Sequence, residues 1–318
     1  MAGGIDSMQL TNVVIVGAGK VGALHAQALR QQHGVRVVAV CDPIADRAQS
    51  LAVACNAEVR TLDDALADAA INAVILATPS DLHAAQARQC VSAGKHTLCE
   101  FPLFDAPLRL RRCFELAQRH GVHLMAAHTT HYMPVYIEAK RILAEGRLGA
   151  VRTVVYRRRL HRPGGVAPDR NWRDNALTHL GGHALDVLTW LTGDAPLRLR
   201  AFTRPSPDEA TQAGLLIRTA GGALAHINID FESLPNDIWL EIGCAHGTMA
   251  ARGFSRLEVN GRLEWQATDD ETAYHAAIAA QDEEFINLSR GGSSRTTSTD
   301  TLRLNIWMAR AMRSARQQ

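Results

Sequence analysis

The sequence predicts two α/β domains of different build: a doubly wound parallel sheet over residues 9–128, then an α+β domain with a large, open, mostly antiparallel sheet over residues 129–318. Three observations predict this. A chain of 318 residues is long enough for two domains at roughly 150 residues each. Its first part alternates short apolar runs with helical stretches, as parallel strands buried on both faces require. From Ala150 that rhythm gives way to longer strands joined by turns such as Ala220-Gly221-Gly222 and Asn260-Gly261, which suit hairpins.

In the first part, Asn12–Val16, Val35–Val40, Glu58–Thr61, Ile71–Ala77, Lys95–Cys99 and Val122–Ala127 read as strands. Helices are expected over Ala23–Gln32, from Pro43 to about Asn56, and over Leu62–Ala69, Leu82–Ala93 and Leu108–His120. In the second part the expected strands are Val151–Arg158, Leu197–Thr203, Gly214–Thr219, Ala223–Phe231, Ile238–Cys244, Gly247–Arg252, Leu257–Val259 and Arg262–Gln266. A helix over Asn175–Leu191 lies between the first two, and helices over Glu271–Ser289 and Asp300–Ser314 end the chain. The C-terminal helix is free to pack back on the first domain. Helices on one face of an open sheet are the economical arrangement for the second domain.

Composition narrows the function. Hydrophobic residues at 47% support packed cores and argue against disorder. Lys+Arg 34 against Asp+Glu 32 leaves +2, too even for a nucleic-acid or membrane-surface partner. No apolar run approaches the ~20 residues of a membrane span, and MAGGIDSMQL lacks the basic and apolar pattern of a secretory signal. The six cysteines form no CxxC, so reduced thiols in a cytoplasmic protein are expected, with no disulfide frame and no metal site.

The strongest motif is Gly17-Ala18-Gly19-Lys20-Val21-Gly22. It follows a strand, opens a helix, and is followed twenty residues later by Asp42 at the end of the second strand. That context makes GxGxxG a dinucleotide fingerprint. Gly17 serves the tight turn, Gly19 the approach of a pyrophosphate, Gly22 the packing of helix on strand, and the helix N-terminus attracts the phosphates. Asp42 is expected to accept the ribose hydroxyls and repel a 2′-phosphate, which favours NAD. Arg47 could receive that phosphate, so NADP stays as the alternative cofactor.

The segments VGAGKVGALHAQAL, ATPSDLHAAQARQCVSAGKHTLCEFP, GHALDVLTWLTG and QDEEF together resemble, over nearly the full chain, the glucose–fructose oxidoreductase / inositol dehydrogenase (Gfo/Idh/MocA) family. The resemblance implies a Rossmann domain, a substrate domain whose open sheet builds homodimers or homotetramers, and hydride transfer between a nicotinamide and a sugar, cyclitol or related alcohol. It also implies that Thr78, Pro79, Leu82 and His83 border the cofactor, and that Glu100 and Pro102 lie beside the nicotinamide.

Three departures point away from an ordinary sugar dehydrogenase. The family's Glu-Lys-Pro, whose lysine acts in proton transfer, is Glu100-Phe101-Pro102 here. Its Asp-x3-His pair is His179-x3-His183. Where an asparagine or histidine, arginine and proline are common, the chain reads His128-Thr129-Thr130-His131-Tyr132-Met133-Pro134. Of the branches lacking the lysine, the 4-carboxy-2-hydroxymuconate-6-semialdehyde dehydrogenases are the most similar. They share Glu-x-Pro-Leu, an Arg-x-Trp-x-Asp segment like Arg170–Asp174, and a His-x3-His pair. Such enzymes oxidise a carboxylated cyclic hemiacetal to a lactone.

His179 and His183 are expected on one helix face, where either takes a hydroxyl proton as hydride leaves, with Asp186 orienting the His183 ring. Structural histidines, or a zinc pair lacking a sequence-evident third ligand, are the alternatives. Arg152, Arg157, Arg158, Arg159, Arg162, Arg170 and Arg173 crowd one stretch. Guanidinium forks bind carboxylates, so an anionic substrate is expected, or else a solvated basic face or an oligomer contact. Arg170 and Arg158, with Trp172 and His131, are the candidate substrate contacts. The expected function is an NAD(P)-dependent oxidoreductase acting on a small, carboxylated alcohol or hemiacetal. The alternatives are an imine or tetrapyrrole-type reductase, a sugar or cyclitol dehydrogenase, and an inactive NAD-binding regulatory protein.

Overall fold

The protein is described from a computed structural model that covers residues 10–104, 106–161 and 175–317. Two compact units divide the chain. The first comprises Met1–Glu100, Leu108–Ala127 and Ile278–Ser298; the second comprises Phe101–Pro107, His128–Ala277 and Thr299–Gln318.

The first unit runs β1 (Thr11–Val16), α1 (Lys20–Leu29), β2 (Val35–Cys41), α2 (Ala45–Cys55), β3 (Glu58–Val59), α3 (Leu62–Ala67), β4 (Ala73–Leu76), α4 (Ser80–Ser92), β5 (His96–Cys99), α5 (Pro107–Arg119) and β6 (Leu124–Ala126). The six strands lie in the order β3-β2-β1-β4-β5-β6 and pair in parallel. The order reverses beside β1, and ligands of such sheets bind at that point, outside the carboxyl ends of the strands. The centre is apolar because both faces are covered: Val13, Val14, Ile15, Ala73, Val74, Ile75 and Leu76 are fully buried.

The second unit contributes α6 (Pro134–Ala144), β7 (Val151–Arg159), α7 (Gly181–Thr192), β8 (Pro196–Arg204), β9 (Gln212–Thr219), β10 (Leu224–Asp230), β11 (Asp237–Cys244), β12 (Gly247–Arg252), β13 (Arg256–Val259) and β14 (Arg262–Gln266). Two long helices close the chain, α8 (Asp270–Ser289) and α9 (Ser298–Ala315); α8 begins in the second unit and ends in the first. The eight-stranded sheet has the order β14-β13-β12-β11-β7-β10-β9-β8. Every pair is antiparallel except β7 with β10, so the expected sheet type is found. Alternation separates its faces: Val154, Leu215, Ile217, Ile227, Leu240 and Ile242 are buried, while Val155, Leu216 and Leu224 are exposed.

Two local features differ from expectation. The helix α6 was not anticipated, although Pro134 occupies its first turn, where proline is at home, and Val135, Tyr136, Ala139 and Ile142 are buried at helical spacing. The single helix expected over Asn175–Leu191 instead opens with a π-helical turn, Ala176–Leu180, before α7. Such widened turns recur at functional sites.

Candidate active site

In the first unit, the glycine turn is built by close backbone approach. Gly17 has φ +99°, and a Cβ there would lie 2.4 Å from the Ala77 carbonyl oxygen. A Cβ on Gly22 would lie 1.9 Å from the Gly17 carbonyl oxygen. Apart from Gly19 itself and its two chain neighbours, no atom of the described residues lies within 4 Å of the position a Cβ there would take, so its open side can receive a ligand's backbone-hugging group. No side chain caps α1, and the first N–H groups of a helix lack intrahelical partners. Open space at Gly19 with free donors at the helix start fits a pyrophosphate. Lys20 is exposed and Val21 half-buried at this helix start.

Asp42 does more than sequence reasoning assigned to it. Its Oδ2 accepts the Ala18 N–H at 2.7 Å and its Oδ1 accepts the Ile44 N–H at 2.8 Å. The Gly17 N–H donates to the Cys41 carbonyl at 2.7 Å. The carboxylate therefore fixes the glycine turn against the end of β2, and only its remaining lone pairs are left for a ribose. Arg47 stands exposed in the first turn of α2. At the end of β4, Thr78 donates through Oγ1 to Gln86 at 2.6 Å, and His83 Nε2 meets the Thr78 carbonyl at 2.8 Å. Pro79 caps α4. His83 is 2% exposed, so it braces this loop.

Two residues outside the expected set adjoin Glu100 in this unit. His25, on the buried face of α1, has Nδ1 2.8 Å from Asp282 of α8 and Nε2 3.0 Å from Glu100. His25 and Asp282 are fully buried. The signal lay in the sequence: an ionisable residue at i−3 and i−4 to Ala28 and Leu29 on an otherwise apolar helix face.

In the second unit, the π-helical turn is pinned by Asn175, whose Oδ1 accepts the Thr178 N–H at 2.9 Å and whose Nδ2 donates to the Pro207 carbonyl at 2.9 Å. His179 from this turn and His183 from α7 meet with ring centroids 5.3 Å apart and planes at 75°. Phe101, which stands where the family has lysine, stacks on His183 at 3.9 Å and 27°. Gly182 makes room for it, since a Cβ there would come within 3.0 Å of the Phe101 ring. His183 Nδ1 has no hydrogen-bond partner among the described residues. Burial, then the nearby charges of His179 and Arg158, push its pKa well below the usual histidine range, so the ring is neutral with a lone pair available.

Asp186 was expected to orient His183; it does not. Its Oδ1 accepts from His128 Nδ1 at 2.9 Å and its Oδ2 from Thr130 Oγ1 at 2.9 Å, and His131 Nε2 approaches Oδ2 at 3.1 Å. The reason is geometric: one turn of α7 carries Asp186 to face the His128–Thr130 segment. Burial opposes the charge on both partners, yet their attraction prevails, raising His128 and holding Asp186 well below the carboxylate range. His131, expected as a substrate contact, belongs to the same cluster. It is 1% exposed, its ring stacked between His128 at 5.1 Å and Trp190 at 4.7 Å. His128, His131 and Asp186 bring their ligand atoms within 4.8 Å of one another, but Asp186 already accepts two hydrogen bonds, and the trio is accounted for as an ion pair.

The arginines divide by strand face. Arg157 and Arg159 both donate to Asp237. Arg158, on the other face, lies 5.8 Å from the Phe254 ring and has no carboxylate partner among the described residues. Pro102 follows Phe101 through a cis peptide bond. Arg170 and Trp172, like Arg162 and Arg173, lie outside the described residues.

Two domain matches in the sequence decide the family. Residues 11–128 match the oxidoreductase family with an NAD-binding Rossmann fold, and residues 136–250 match the GFO/IDH/MocA C-terminal domain. The chain belongs to the Gfo/Idh/MocA oxidoreductase family. As a member it is an NAD-binding oxidoreductase. It is 28% identical over 294 residues to a 4-carboxy-2-hydroxymuconate-6-semialdehyde dehydrogenase of Sphingobium sp., covering 90% of this chain and 92% of that one. It is 28% identical over 254 residues to an inositol 2-dehydrogenase of Rhizobium meliloti, covering 74% of each. The solved structure of GenD2 from gentamicin A biosynthesis, in complex with NAD, superposes with a TM-score of 0.85 at 25% identity, covering 99% of this chain and 97% of that one. Among the described residues no helix is long and apolar enough to cross a membrane.

Proposed function

We propose that this family member oxidises a small, carboxylated alcohol or cyclic hemiacetal in the cytoplasm. The observation that carries the anionic substrate is Arg158. Its neighbours Arg157 and Arg159 share the carboxylate of Asp237, whereas Arg158, on the opposite face, has a guanidinium fork with no carboxylate partner among the described residues and a charge felt by His183. A substrate carboxylate is the partner that fork lacks, with Arg170 and Trp172 as further contacts. The semialdehyde dehydrogenase relative, whose name specifies a carboxylated compound, supports the same class.

The glycine turn, Asp42, Thr78, Pro79, His83, Glu100 and Pro102 hold the dinucleotide, and Arg47 sets how strongly a 2′-phosphate is admitted. A nicotinamide held there would supply the hydride acceptor. His183, neutral and with Nδ1 unpartnered among the described residues, accepts the hydroxyl proton, and His179 at its side receives the charge onward. Phe101 excludes water from the face of the imidazole. Exposed Val155, Leu216 and Leu224 on the outer face of the eight-stranded sheet support a homodimer or homotetramer assembled there. One observation favours a second reading: with Phe101 in place of a basic group, reduction of an imine, which forms no alkoxide, is chemically economical.

Calorimetric titration of mono- and dicarboxylates onto the NADH-saturated protein tests the proposal, with Arg158→Ala and Arg170→Ala beside the wild type. The expected result is a carboxylate signal weakened at least about tenfold by Arg158→Ala, as for loss of a charged hydrogen-bond pair. Tight NADH binding with no response to any carboxylate would move the assignment to the imine reductase or to an inactive NAD-binding protein.

A further inference from the structure

Glu100 follows β5, and its N–H donates to the Leu76 carbonyl at 2.9 Å. This sets it at the carboxyl ends of the central strands, where ligands of such sheets bind. Behind it lies a line of three ionisable groups within the first unit. Glu100 Oε1 is 3.0 Å from His25 Nε2, and His25 Nδ1 is 2.8 Å and 2.9 Å from the two oxygens of Asp282. The exposure is graded: His25 and Asp282 side chains are at 0% and Glu100 is at 15%.

Both nitrogens of one imidazole face carboxylate oxygens, and a bare lone pair against a carboxylate is repulsive. Each contact therefore contains a proton. One is on Nε2 and points at Glu100; the other lies between Nδ1 and Asp282. Whichever partner holds that second proton, the line carries one net negative charge. Burial opposes a charged ring, but the two carboxylates outweigh it and raise His25 to about 10. At the buried end His25 and Asp282 neutralise each other, because an isolated charge there is costly. The remaining negative charge resides on Glu100, the end that reaches solvent.

We propose that the Asp282–His25 pair is a positioning device that holds Glu100 as a fixed anion at the nicotinamide end of the cofactor site and so favours the oxidised, cationic dinucleotide over the reduced one. The inference rests on the family reading that puts Glu100 beside the nicotinamide. The oxidised ring bears a positive charge and the reduced ring bears none, so a fixed carboxylate discriminates between them by Coulomb attraction alone. The adenosine half of the cofactor is indifferent to it. His25 and Asp282 touch no ligand in this scheme; they act through Glu100.

The test is calorimetric binding of NAD+, NADH and ADP-ribose to the full chain as wild type, Glu100→Gln, His25→Asn and Asp282→Asn. Glu100→Gln keeps the shape and removes the charge. It is expected to shift the ratio of NAD+ to NADH affinity toward NADH by about tenfold, given partial solvent screening, with ADP-ribose affinity unchanged. His25→Asn and Asp282→Asn are expected to shift the ratio in the same direction by a smaller factor. Nitrogen-15 shifts of His25 should report a protonated Nε2 from pH 5 to 9; Asp282 and Glu100 are the titratable groups facing this ring among the described residues. An unchanged ratio in Glu100→Gln, with ADP-ribose still bound, would overturn the proposal and leave the family reading intact. Failure of the wild type to bind ADP-ribose would overturn the reading itself and the proposal with it.

Discussion

Two histidine clusters, one in each unit, use the same side chain in opposite ways. In the first unit His25 faces two carboxylates, Asp282 and Glu100. In the second, His128 and His131 share a single carboxylate, Asp186, while His179 and His183 lie against Phe101. The ratio of carboxylates to rings decides the protonation state. With two acids to one imidazole, charge attraction overcomes burial and His25 is pushed up to about 10. With one acid shared, the nearer ring wins: His128 rises, while burial lowers His131 and, more strongly, His183. A charged histidine can hold another group in place; a neutral one can accept a proton.

The largest expected effect comes from breaking the second cluster at its single acid. Asp186 is 3% exposed, and Asp186→Asn leaves the His128 imidazolium buried without its ion-pair partner, with only the more weakly felt Asp300 charge in its place. Removal of one partner from a buried pair costs about 3–5 kcal/mol, measurable as a lowered urea midpoint. Linkage gives the sign in the wild type. The folded carboxyl titrates well below its reference value of 3.8, so its contribution is present above that value and is lost as pH falls toward the depressed one. Asp186→Asn should flatten that acid slope. An equal slope in both proteins would remove the ion pair from the account.

Much of this contrast was not legible in the sequence, and the reasons are particular. The parallel sheet, the glycine turn and the antiparallel sheet follow from period and turn residues, which are local, and each was anticipated. The clusters depend on contacts between residues far apart in the chain: His25 meets Asp282 across 257 positions and His128 meets Asp186 across 58. Spacing alone placed Asp186 beside His183, three residues away, and missed the His128–Thr130 segment that claims both its oxygens. Motif context points Asp42 at a ribose and is silent on its grip on the Ala18 N–H, which depends on how the turn folds back. Phe101 reads in the sequence as a missing lysine, while its stack on His183 is a long-range contact that no local pattern encodes.

A smaller effect sharpens the neutral side of the comparison. With His183 as the proton acceptor, protonating it stops alcohol oxidation, so kcat/KM should fall on the acid side. Because its pKa lies well below 6.5, the acid limb should lie well below pH 6.5, and activity should be flat through neutrality. His183→Asn should lower kcat by about 100-fold or more and abolish the limb, with NADH affinity retained. A limb centred near 6.5 would indicate a histidine in water and remove His183 from the role.

The smallest effect tests the ring that took the lysine's place. Phe101 is 6% exposed and lies face to face with His183 at 3.9 Å, so it both stacks on the imidazole and keeps water from that face. Phe101→Leu preserves an apolar side chain but loses the plane. The loss of one aromatic stack should cost about 0.5–1.5 kcal/mol of stability, far less than Asp186→Asn. Its more informative consequence is on titration. Burial is the leading cause of the depressed His183 pKa, and water admitted through the narrower side chain stabilises the charged ring. The acid limb should therefore move toward neutral pH in Phe101→Leu, with kcat on its plateau little changed. A limb that stays in place would mean that the charges of His179 and Arg158, and not the aromatic cover, hold this histidine neutral.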